Sequence, residues 1–217
     1  QAEPERLAVA DAFRDLAFRP RPGGPEGGPL RLGYVGRLIP DKGPQLLIEA
    51  VRRLPHDAVT LEVAGTGDEA FVASLKAAAS ANVTFLGWTK PEAVFARLDI
   101  AIVPSVWPDP QPRSVFESFM HGVPVIGAKA GGIPEQIDED VTGWLFEAGS
   151  SDALAMLLRA RIADRAERRL DPAAFENRLA RLAPDVVMPA YEEVYAEAIG
   201  RRACPSPLAG DGGSAKR

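Results

Sequence analysis

The sequence is short of the features that mark several protein classes. It has one cysteine, Cys204, in 217 residues, so no disulfide can close within the chain. The redox compartment stays open on that ground, with the cytosol the expected one. Basic residues are not in excess: 25 Lys and Arg against 30 Asp and Glu give a net charge of −5, which argues against a general nucleic-acid binder. No apolar run approaches the roughly 18 residues of a membrane-spanning helix. The opening Gln1-Ala2-Glu3-Pro4 lacks the basic-then-apolar pattern of a secretory signal. Histidine occurs twice. His56 lies in a Pro-flanked turn and reads as exposed, and His121 precedes Gly122 where a helix C-terminus accounts for it. What remains is the composition of an ordinary soluble globular protein, 46% apolar and 25% charged.

Glycine and proline, at 20 each, punctuate the chain. Residues 1–29 hold a helix-like run from Leu7 to Ala17 and then a Pro/Gly cluster, Arg19 to Pro29, that suits a linker. The ordered domain is expected over residues 30–203 and a disordered tail over 204–217. Within the domain, short apolar runs alternate with helical patterns. Strands are predicted at Leu30–Val35, Val59–Ala64, Val83–Leu86, Ile100–Val103, Val123–Ile126 and Gly143–Phe146. Helices are predicted at Pro44–Leu54, from Asp68 to about Ser80, at Pro91–Leu98, Ser114–His121 and Gly132–Ile137. Either Asp41 or Gly43 is a candidate cap for the first of these. After Ser150 the chain is helical: Asp152 to about Leu170, Pro172–Leu182 and Pro184–Ile199, the last with an apolar stripe and a kink expected at Pro189. Strands alternating with helices imply a doubly wound, Rossmann-like α/β sheet of about six parallel strands, whose ligands bind beyond the carboxyl ends of the strands. The Gly-rich segments mostly follow strands and fall on that edge.

Three segments hold chemistry. Gly36-Arg37 followed by Lys42-Gly43 places a planar guanidinium and a compact ammonium at the turn into a helix, a combination that suits a diphosphate. Alone the pattern is only moderately specific, and a solvated Arg and Lys on a loop fits it at least as well. Asp109 and Glu117, with seven residues between them, bracket the start of the Ser114 helix, Glu117 falling in about its first turn. They are either ordinary helix-entry carboxylates or acceptors for the vicinal hydroxyls of a sugar or ribose. Gly131-Gly132 allows either a close backbone approach to a ligand or a plain left-handed turn. Asp138-Glu139-Asp140 reads as a solvated turn, and no metal is expected there. The stretch from Arg159 to Arg181 carries seven Arg among four acids, the pattern of a solvated helix face, with anionic membrane contact as the minority reading.

Read in order, these segments carry a resemblance. Val35-Gly36-Arg37-Leu38 with Lys42-Gly43, Val63-Ala64-Gly65-x-Gly67, Phe85-Leu86-Gly87-Trp88, Pro104-Ser105 with Glu117, Gly122-Val123-Pro124-Val125-Ile126 and Gly131-Gly132-Ile133-Pro134-Glu135 with Thr142-Gly143 resemble the C-terminal domain of family-four GT-B glycosyltransferases over about residues 30–200. The resemblance implies a retaining hexosyltransferase donor domain that binds a UDP-, GDP- or ADP-sugar and needs no metal. By it, Arg37 and Lys42 hold the donor diphosphate, Asp109 contacts sugar hydroxyls and Glu117 the ribose. Gly36, Gly65, Gly67, Ser114 and Val115 belong to the nucleotide site, and the base packs near Trp88. The chain departs from the family at Asp109, one methylene shorter than the usual glutamate, and at Pro110-Gln111-Pro112 in place of Pro-Phe-Gly. Pro112 supplies no N–H to a sugar.

A full enzyme of this kind has a second, N-terminal doubly wound domain that holds the acceptor. The chain, beginning at Gln1, is therefore expected to be one excised half, with little activity alone. Its location is expected to be cytoplasmic, with peripheral contact at the inner membrane face as the alternative. A non-catalytic nucleotide-sugar-binding or scaffold module is the second reading, and a sugar-nucleotide epimerase of related fold a third.

Overall fold

The structure is a computed structural model. It describes residue 18, residues 28–164 and residues 170–202. The Leu7–Ala17 run, nearly all of the Pro/Gly cluster and the tail lie outside the described residues. Contacts within the chain separate residues 18–179 from residues 180–202.

The first of these units is built on six parallel strands: β1 (Leu30–Val35), β2 (Val59–Ala64), β3 (Val83–Gly87), β4 (Ile100–Val103), β5 (Val125–Ala128) and β6 (Gly143–Phe146). Their order in the sheet is β3-β2-β1-β4-β5-β6. The connecting helices are α1 (Pro44–Val51), α2 (Glu69–Ala78), α3 (Pro91–Phe95), α4 (Arg113–Met120) and α5 (Ile133–Gln136), followed by α6 (Ser151–Ala163) and α7 (Pro172–Ala180). Each βαβ step is a crossover, the only short way to return a strand to a parallel neighbour. Strands β4 and β5 are buried at every residue, as a sheet covered on both faces requires.

One core gathers Leu32 and Tyr34 of β1, Leu61 and Val63 of β2, and Ile126 of β5 with Leu47 and Ile48 of α1 and Leu154 of α6. Helix α1 packs against α2 and α6, and α3 packs against α4. On β1 itself, a Cβ at Gly33 would stand 2.0 Å from Leu98 Cδ1, so this strand admits close packing of Leu98 only because residue 33 is glycine.

Several expected boundaries move, each for a local reason. The fifth strand begins at Val125 rather than Val123, because Pro124 has no N–H to give the ladder; it continues to Ala128, which pairs with Phe146. The amide of Val123 turns back to the Ser118 carbonyl instead. Helix α1 is capped by Gly43, in the left-handed conformation at φ 72°, with no side-chain cap; Asp41 lies in a short 3₁₀ turn, Pro40–Lys42. Helix α6 ends at Ala163, well before Leu170. Gly122, at φ 63°, is the left-handed residue just beyond α4, whose last half-helical residue is His121.

The second unit is formed by helix α8 (Pro184–Arg202), assigned as one helix through Pro189. Its Tyr191, Val194, Tyr195 and Ile199 are exposed. No described helix is long and apolar enough to cross a membrane.

Candidate active site

The strand order reverses between β1 and β4. From β1 the chain crosses to β2 on one side, and from β4 to β5 on the other, so the crossovers diverge and leave a crevice at the carboxyl ends of β1 and β4. A cleft of about 570 Å³ occupies this place. Its β1 side is made by Tyr34, Val35, Gly36 and Arg37, with Lys42 from the following turn. Its β4 side is made by Pro104 and Ser105, and its far wall by Asp109 and the entry of α4. Of the residues singled out in the sequence, Gly36, Arg37, Lys42, Asp109, Ser114 and Glu117 are thus brought to one cleft, from segments as much as 81 positions apart in sequence (Gly36 to Glu117).

Charge in the cleft is paired. The Lys42 ammonium donates to Asp109 Oδ2, both side chains being largely buried. Arg113 NH2 stands 3.3 Å from Glu117 Oε1, one helical turn on, with the arginine side chain mostly exposed. Arg37 is exposed, and its guanidinium forms no hydrogen bond or ion pair with any other described residue. Three cations and two carboxylates therefore face the same space, a surplus of one positive charge before any ligand enters. Burial raises the Glu117 carboxyl above its ordinary value, Arg113 opposing and Glu92 adding to the rise. Glu117 is the fifth residue of α4, which begins at Arg113, so it lies past the first turn where the helix dipole favours a carboxylate. Burial pushes the Tyr34 phenol well up, so its hydroxyl remains a donor at any ordinary pH.

Other expected site residues stand elsewhere. Val115 is fully buried, and its amide is taken by the Pro112 carbonyl at 3.2 Å. Trp88, at the end of the edge strand β3, is 74% exposed and does not line the cleft. Gly65 and Gly67 abut protein backbone rather than the cleft: a Cβ on Gly65 would stand 1.8 Å from the Gly36 carbonyl oxygen, and one on Gly67 1.9 Å from that of Leu38. The Gly131-Gly132 turn behaves the same way against the loop that carries Asp109. The amide of Gly132 donates to the Asp109 carbonyl at 2.9 Å, and a Cβ there would stand 1.9 Å from the Pro110 carbonyl oxygen. These glycines serve loop-on-loop contact.

The sequence reading missed Tyr34 and Arg113 as lining residues, while Gln111, named there as part of the departure from the family pattern, does line the cleft. Tyr34 reads as a core strand residue, and its ring is one; only the hydroxyl reaches the turn. Arg113 had a signal, a cation four residues before Glu117 at the helical spacing. Among the described residues no group of three or more His, Cys, Asp or Glu is arranged to hold a metal ion. Asp140, inside the Asp-Glu-Asp turn, accepts from Trp144 Nε1 at 3.0 Å.

The family model "Glycosyl transferases group 1" matches residues 18–176. The chain belongs to the group 1 glycosyl transferases. It is 33% identical over 145 residues to the amylovoran biosynthesis glycosyltransferase AmsK of Erwinia amylovora, a match covering 60% of this chain and 35% of that protein. It is 31% identical over 187 residues to the D-inositol 3-phosphate glycosyltransferase of Corynebacterium efficiens, covering 72% of this chain and 44% of that one. The crystal structure of Anabaena Alr3699/HepE with UDP and glucose superposes with a TM-score of 0.64 at 26% identity, over 80% of this chain and 48% of that one. The chain thus spans between a third and a half of the relatives it matches, and it has the fold of a GT-B half-domain.

Proposed function

We propose that this chain is the donor-binding half of a retaining glycosyltransferase that moves a hexose from a nucleoside-diphosphate sugar (UDP-, GDP- or ADP-linked) to a glycan, lipid or small-molecule acceptor. The observation that carries this is the set Arg37, Lys42, Asp109 and Glu117 gathered in one cleft at the reversal of strand order. The Anabaena structure with UDP-glucose, 27% identical over 80% of this chain, supports the donor class.

The chemistry follows from charge. Cleaving the bond between the sugar and the diphosphate leaves negative charge on the departing phosphate. Cations held in place before the reaction stabilise that charge without reorganising. Arg37 and Lys42 supply them from the β1 loop. Lys42 is held by Asp109, so the diphosphate binds by exchanging for that carboxylate. Asp109, once released, is free to accept from the sugar hydroxyls. Glu117, half-buried on α4, accepts from the ribose pair once its weak hold on Arg113 is given up. The acceptor hydroxyl and its proton are handled in the partner half, the N-terminal GT-B domain, supplied in cis or in trans. No metal is required, since the protein supplies the cations itself.

The test is restoration. With the partner half supplied, the wild-type chain transfers sugar from at least one nucleoside-diphosphate sugar. Arg37→Ala and Lys42→Ala each reduce turnover by about 10²- to 10³-fold. Wild-type turnover in both variants sinks the assignment. One feature favours a second reading, a binding module without catalysis: Asp109 is shorter than the usual glutamate and already engaged, and Pro112 before α4 offers no N–H. Tight nucleotide-sugar binding with no transfer in the restored enzyme, for any acceptor tried, selects that reading.

A further inference from the structure

The Gly36–Leu38 segment carries the cation Arg37, and it is held from three directions. Along β2, the amide of Gly36 donates to the Ala64 carbonyl at 3.1 Å and that of Leu38 to the Thr66 carbonyl at 2.8 Å. The parallel pairing of β1 with β2 thus extends past both strand ends, to the bridge between Leu38 and Gly67. From the side, Gly65 and Gly67 let the two backbones approach to a distance no side chain would permit. In such a pairing alternate residues turn their peptide groups away from the neighbour. Residue 37 is the one turned away, so β2 does not fix it. Its carbonyl is taken instead by the Tyr34 hydroxyl at 2.6 Å, with the Ile39 amide at 3.1 Å as second donor.

The Tyr34 ring is 3% exposed and belongs to the core; phenylalanine would fill the same space. The hydroxyl adds nothing to packing. Its hydrogen bond goes to the backbone of the residue that carries the guanidinium. We propose that Tyr34 is a positioning residue, fixing the peptide of Arg37 so that its guanidinium points at the donor diphosphate. The same constraint gives Gly65 and Gly67 their role as spacers for the Arg37 turn, not as ligand contacts. This inference rests on the donor-site reading above. An arginine held on an exposed turn loses rotamer freedom when it binds, and a fixed peptide beneath it limits how much must be lost.

A double-mutant cycle tests it, with titration calorimetry of this chain against UDP, GDP and ADP and against the matching nucleosides. Tyr34→Phe weakens diphosphate binding about 3- to 10-fold, and leaves nucleoside affinity unchanged. In an Arg37→Ala background the same change has no further effect, because there is no guanidinium left to position. Gly67→Ala, which pushes the Leu38 carbonyl from the opposite side, weakens diphosphate binding in the same coupled way and guards against a folding defect peculiar to the tyrosine. Additive losses in the double mutant overturn the proposal, as does unaltered diphosphate affinity in Tyr34→Phe. If the wild-type chain binds none of the diphosphates, the donor-site reading falls, and this inference with it.

Discussion

At the scale of single residues, the cleft combines side chains whose best state alone is not their best state with a ligand. Glu117 is the clearest. Its carboxyl is raised by burial, so the folded chain binds that proton more tightly than the unfolded chain does. The stability it contributes is fully present below the ordinary glutamate range near 4.5 and is lost as pH rises through the raised value. Glu117→Gln is therefore expected to raise the melting temperature at pH 7 and to flatten the pH dependence just above that range, while nucleoside-diphosphate affinity falls. Thermal melts across pH 4–8, paired with titration calorimetry, check both halves; a lower melt at pH 7 would count against the burial account. Asp109 behaves differently. Asp109→Asn leaves the Lys42 ammonium half-buried without its carboxylate, at a cost of roughly 1.5–3 kcal/mol. The same variant should bind a bare nucleoside diphosphate more tightly than wild type, since no internal anion competes for Lys42, and should lose the preference for the sugar-bearing form. Chemical denaturation and competition binding separate these two effects.

At the scale of elements, loops at the carboxyl edge of the sheet are locked to one another by glycine. Gly132 meets Pro110 in the loop that bears Asp109. Gly132→Ala forces a Cβ against the Pro110 carbonyl, with a destabilisation of about 1–3 kcal/mol as in other overpacked sites, and it shifts the loop that presents Asp109 to Lys42. The expected signature is a lower denaturant midpoint together with weaker sugar discrimination; a midpoint unchanged within error refutes the contact. The elements themselves were legible beforehand. Strands β1, β2 and β4 are each followed by Gly or Pro, and their bounds agree with the sequence reading. The fifth strand was misplaced because its apolar run includes Pro124, whose missing N–H matters only once a neighbouring strand is there to bond. The glycines were visible too, but their partners were not. Nothing in the order of residues says that Gly65 lies on Gly36 and not on a phosphate, because that depends on which strands become neighbours.

At the scale of the whole molecule, a half-domain whose cleft opens on one side should gain stability from its donor by mass action. A nucleoside diphosphate at 100 times its dissociation constant should raise the unfolding free energy by about 2.7 kcal/mol. A thermal-shift screen of UDP, GDP and ADP reads this out, and the base giving the largest shift identifies the donor nucleotide. The relatives matched are two to three times the length of the segment shared with this chain.

The sequence by itself determined the alternation of strands and helices, and hence a parallel sheet with its ligands at the carboxyl edge. Those follow from local periodicity and from the crossover that parallel strands need. It also marked Arg37, Lys42, Asp109 and Glu117 as candidates, with roles given by the ordered set of motifs and not by any one of them. The tertiary structure alone decided that Lys42 pairs with Asp109 and that the Arg37 turn is held by the Tyr34 hydroxyl. Pairing depends on distances across the sheet, and those are set by strand order and close backbone approach, which no local stretch of sequence encodes.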